Sequence, residues 1–71
     1  MFYPGDVIRY NHPKFPEWKK NLLAVIDFSL NTNSIFCFSL NENNFMPKGS
    51  KATFLDDGYF EKVEIKVEEK E

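Results

Sequence analysis

At 71 residues the chain is long enough for one small domain, and its 42% hydrophobic and 17% aromatic content excludes a disordered polymer. A net charge of −2 argues against a general nucleic-acid binder, because such affinity comes largely from phosphate neutralisation. The single cysteine excludes an internal disulfide, and no apolar run approaches the roughly 20 residues of a membrane-spanning helix. The start, Met1 to Asp6, has neither a basic stretch nor an apolar core of the secretory kind, so a reducing, cytoplasmic setting is expected.

In chain order, Pro4-Gly5-Asp6 reads as a turn and Val7-Ile8-Arg9-Tyr10 as a first strand. Asn11 to Asn21 carries two prolines, which block both a long helix and a central strand. Pro16 can open one helical turn, Glu17 to Lys20. The segment is therefore expected to be an ordered loop anchored by Phe15 and Trp18. A second strand is expected over Leu22 to Leu30, followed by an Asn31-Thr32-Asn33 turn in which asparagine tolerates positive φ. A third strand covers Ser34 to Leu40. The polar turn Asn41 to Asn44 and an irregular stretch, Phe45 to Ser50, come next. A short strand, Ala52 to Leu55, ends at Asp56-Asp57-Gly58, a hairpin signal. From Tyr59 to Glu68 the pattern has period two: Tyr59, Glu61, Val63, Ile65 and Val67 fall on one face, and Phe60 with Lys62, Glu64, Lys66 and Glu68 on the other. The Lys/Glu alternation reads as a solvated face that blunts a sheet edge. Residues 69–71 are expected to fray, which leaves 1–68 as the single domain.

Leu22-Leu23-Ala24-Val25-Ile26 and Ile35-Phe36-Cys37-Phe38 are apolar at every position. A strand with one wet face alternates instead. So small a chain cannot cover both faces of a sheet, and eight or more large apolar side chains should be partly exposed. Such patches mark contacts. A homodimer formed through Leu23, Val25, Phe36 and Phe38 is the economical expectation, because most soluble oligomers are symmetric.

Five short strands, a long first loop and tight hairpins suit an all-β fold, a small, strongly bent antiparallel barrel. The layout resembles SH3-like barrels. Pro4-Gly5-Asp6-Val7-Ile8 followed by a loop and Ala24-Val25-Ile26 is similar to the opening of KOW-type domains and of MazF/PemK-type ribonuclease toxins. The further glycine pattern of KOW domains is missing, and Leu22-Leu23 stands where the toxins carry Arg-Pro. The resemblance thus implies a fold and carries over no catalytic residue.

His12, the only histidine, lies in this aromatic loop, and without an orienting partner it reads as a packing residue. Asp56 and Asp57 with Asp6 imitate a divalent-metal cluster, but an Asp before Gly in a turn already caps local backbone. No metal site, cofactor or catalytic residue is assigned. Cys37, in an apolar run, reads as a small core residue. The strongest candidate site is Arg9, Tyr10, Lys14, Phe15, Trp18, Lys19 and Lys20. Interleaved aromatics and cations serve either a protein hot spot or base stacking with phosphate contacts; alternatively, Phe15 and Trp18 plug one end of the barrel. The expected function is non-enzymatic protein binding, in the manner of a phage- or mobile-element accessory protein or inhibitor that occupies a partner surface. Small-barrel nucleic-acid binding through residues 10–20 is the alternative, and a minimal toxin-type ribonuclease stands behind it. No membrane association is expected.

Overall fold

A computed structural model describes residues 2–42 and 46–64. Among these the fold is all-β: five strands in one antiparallel sheet, with no α-helix. The strands are β1 (Val7–Tyr10), β2 (Leu23–Ser29), β3 (Ser34–Ser39), β4 (Lys51–Leu55) and β5 (Phe60–Lys62). Their order in the sheet is β4-β3-β2-β1-β5, so consecutive strands are neighbours until β5 crosses back to pair with β1. The predicted strands lie where the alternation and turn residues put them, within a residue or so at each end. The exception is the last, whose paired portion is Phe60–Lys62; the remainder of the expected strand, from Ile65, lies outside the described residues, as do 69–71. None of the described helices is long and apolar enough to cross a membrane.

The turns form for the reasons their residues suggest. Asn33 adopts φ 55° in the β2–β3 turn. Its amide donates to the Asp56 carbonyl and its own carbonyl accepts the Asp56 N–H, both at 2.9 Å, which ties that turn to the β4–β5 turn. Gly58 adopts φ 89°, a conformation an L side chain resists, and its N–H donates to Asp56 Oδ1 at 3.0 Å. The single helical turn is a 3₁₀ turn over Pro16–Lys20 with the proline at its start.

The two apolar faces separate into a core and an outer face. Ile8, Leu23, Val25, Ile35 and Cys37 point into the core, with Phe2 and Met46 folded over them. Leu23 and Val25 are 0% and 3% exposed, so the outward orientation expected of them for self-association is overturned. The cause is register. Val25 pairs with Cys37 and Leu23 with Ser39, which commits this parity of β2 to the inside. Ile26 is the extra residue of a bulge between Val25 and Asp27. The bulge shifts the alternation by one, so Asp27 joins the outer face opposite Phe36, and Phe28 turns inward. There it packs edge-on to Phe2 with ring centroids 6.0 Å apart. The outer face keeps Ala24 paired with Val7 and Phe38, and Phe36, which is 39% exposed.

The sheet is strongly curled but not closed. Phe54 of β4 and Phe60 of β5, on its two edge strands, stand 5.8 Å apart by ring centroid, yet β4 and β5 do not pair. The expectation of a closed barrel is corrected to that extent. β5 pairs with β1 over three residues on one edge and carries no ladder to β4 on the other. The face of β5 read as solvated also divides: Lys62 is exposed, whereas Phe60 packs against the core.

Candidate functional site

The curl brings one end of each edge strand beside the first loop and leaves a cleft of about 250 Å³. Tyr10, the last residue of β1, forms one wall and Phe60 of β5 lies against it, ring centroids 4.8 Å apart. Trp18 of the 3₁₀ turn stands edge-on to both Tyr10 (6.4 Å) and Phe54 (6.1 Å). The buried Leu23 closes the floor, and Phe15, Leu55 and Asp57 form the rim.

A buried polar network fixes the loop that carries Trp18. Asn21, fully buried, follows the 3₁₀ turn, and its N–H donates to the Trp18 carbonyl at 3.0 Å. The Ser39 hydroxyl donates to the Asn41 carbonyl at 2.6 Å and sits 3.1 Å from Asn21 Oδ1. The Asn41 amide donates to the Lys20 carbonyl at 2.7 Å, and its side-chain oxygen accepts the Leu22 N–H at 3.1 Å. The proline-interrupted loop thus satisfies its backbone partly through its own turns and, at its end, through the Asn41 side chain on the Lys20 carbonyl and Leu22 N–H.

Asp57 supplies the charge of the site. Its Oδ2 accepts the Tyr10 hydroxyl at 2.5 Å and its Oδ1 the Tyr59 N–H at 3.1 Å. Burial pushes its carboxyl up, but the hydrogen bonds from Tyr10, Tyr59 and its own backbone N–H, together with the charge of His12, outweigh this and hold it below the ordinary carboxylate value, so it is ionised at neutral pH. The same bond from Asp57, aided by desolvation, pushes the Tyr10 hydroxyl up to about 12. No lysine or arginine among the described residues forms an ion pair with Asp57.

The residues expected to form the site divide into two groups. Tyr10, Phe15 and Trp18 meet in the cleft. Trp18 is half-buried against the core and Phe15 is 48% exposed, so the loop is anchored mainly through Trp18. Lys14, Lys19 and Lys20 are exposed and do not line the cleft. Arg9 points away from Tyr10, as successive strand residues do. Its Nε lies 2.6 Å from Glu61 Oε2, while Asn11 donates to the other oxygen at 2.8 Å. Phe54, Leu55, Asp57 and Phe60 come from 44 or more residues beyond Tyr10, and no local pattern ties them to it.

The remaining candidates are occupied structurally. His12 Nδ1 accepts the Lys14 N–H at 3.0 Å, and its ring lies 4.1 Å from that of Tyr59. Cys37 is buried, and desolvation pushes its thiol up to about 11. Among the described residues, no group of three His, Cys, Asp or Glu side chains is placed to hold a metal ion. Compared with known proteins, the chain matches no family model, no curated protein and no solved structure.

Proposed function

We propose that this chain is a non-enzymatic protein-binding module, an SH3-like barrel layout left open at one seam, that acts by occupying a partner's surface through its aromatic cleft. The supporting observation is the cleft itself. Tyr10, Trp18, Phe54 and Phe60 line an accessible concavity, pack against one another, and are tied to the β4–β5 turn by the Tyr10–Asp57 hydrogen bond. Aromatic residues of this kind dominate protein hot spots because they offer large, rigid contact area. Phe15 on the rim, and the exposed Lys19 beyond the lining, would extend the contact surface. The ionised Asp57 disfavours a phosphate chain in the cleft, which weighs against nucleic acid as the partner. Cys37 and His12 are committed to packing and turn formation, which favours binding over catalysis.

The test is affinity capture from a host lysate, with and without nuclease, using wild type and a folded Trp18→Ala variant. The expected result is a protein retained after nuclease treatment by wild type and lost with Trp18→Ala. Capture that disappears with nuclease, or that Trp18→Ala leaves unchanged, overturns the proposal.

A further inference from the structure

Among the described residues, Asp57 is the only charged one lining the cleft; the others are aromatic or leucine. Its carboxylate accepts the Tyr10 hydroxyl and the Tyr59 N–H, and its own backbone N–H also bonds to it. A carboxylate has about four acceptor positions, so capacity for a further donor remains. The rings of Tyr10, Trp18 and Phe60 line the same cleft, and the negative faces of aromatic rings attract cations.

Resting on the binding reading above, we infer that the cleft receives one arginine side chain from an extended segment of a partner protein. Three physical features select it. The volume, about 250 Å³, falls below the roughly 300–1,000 Å³ of small-molecule pockets and suits a side chain. A guanidinium is planar: it stacks on aromatic rings while its N–H fork meets a carboxylate, which a compact ammonium cannot do as well. A neutral apolar side chain, such as proline, would expel water from an ionised carboxylate and return no donor. Lys14, Lys19 and Lys20 are exposed and outside the lining, and no lysine or arginine of the described residues pairs with Asp57; His12 acts on it electrostatically but does not line the cleft.

The test titrates the full chain with acetyl-Gly-Gly-Arg-Gly-Gly-amide and with the same peptide carrying citrulline, the neutral isostere, or lysine. Trp18 emission is the readout. The expected result is saturable binding of the arginine peptide, weaker by about tenfold or more for citrulline, with lysine between. Asp57→Asn, with an unchanged β-sheet circular-dichroism signal, should lower arginine affinity to the citrulline level. Equal affinities for arginine and citrulline, a lysine peptide that binds as tightly as arginine, or no saturation up to about 10 mM overturns the inference. If Asp57→Asn fails to fold, the arginine–citrulline comparison on wild type still decides. An arginine peptide that fails while Trp18→Ala still abolishes protein capture removes this inference and leaves the binding module standing.

Discussion

The Tyr10 hydroxyl donates a 2.5 Å hydrogen bond to the carboxylate of Asp57, 47 residues further along the chain. This one bond joins the end of β1 to the β4–β5 turn and ties one wall of the cleft to its rim. Because Asp57 raises the Tyr10 pKa to about 12 from 10, the neutral phenol is favoured in the folded state. Its stabilising contribution is complete below pH 10 and is lost as pH rises through 12. Carbon NMR of the Tyr10 ring should show titration near 12, falling toward 10 in Asp57→Asn. A Tyr10 titration unmoved by that substitution contradicts the assignment.

Trp18 is half-buried against the core, so its emission should be blue-shifted relative to a solvated indole yet quenched by iodide. Truncation to alanine should cost about 2–3 kcal/mol, less than the roughly 3–5 of a fully enclosed aromatic. Urea denaturation measures this, and a loss under about 0.5 kcal/mol would place Trp18 free of the core.

The Asn21–Ser39–Asn41 network holds the Trp18 loop without any strand pairing. Asn21→Ala removes a fully buried amide that contacts Ser39 Oγ and Met46 Sδ, and should cost about 1–3 kcal/mol. Iodide quenching of Trp18 should rise in the same variant as the 3₁₀ turn loosens. An intact quenching profile would show that the turn is held by Trp18 packing alone.

Self-association, if it uses the sheet, must use the outer face. Phe36→Lys or Phe38→Lys should reduce association in sedimentation and leave a folded monomer. Leu23→Lys or Val25→Lys should instead unfold the chain, because the charge would enter the core. A wild-type chain that sediments as a monomer at every accessible concentration defeats the outer-face expectation.

Cys37 should resist a thiol reagent at pH 8, since burial keeps its thiol protonated up to about 11. That contribution to stability is present below pH 9 and fades as pH rises through 11. Labelling should proceed only as fast as the chain opens; a rapid reaction in the native protein would refute the burial.

Local chemistry determined the secondary structure. Prolines at 13 and 16 barred a long helix, Asn33 and Asp57-Gly58 placed turns, and β-branched and aromatic runs placed strands. Tyr10, Phe15 and Trp18 were legible as part of the cleft because they cluster along the chain. Tertiary structure decided the rest. With Leu22–Ile26 apolar throughout, either parity could have faced inward, and only pairing with β1 and β3 buried Leu23 and Val25. The Ile26 bulge, which turns Phe28 inward, has no local signature, since an extra residue is defined only against a partner strand. Phe54, Asp57 and Phe60 reach the cleft through the curl of the sheet and the β1–β5 pairing. Those contacts span most of the chain, and periodicity along a strand carries no information about which distant strand will lie beside it.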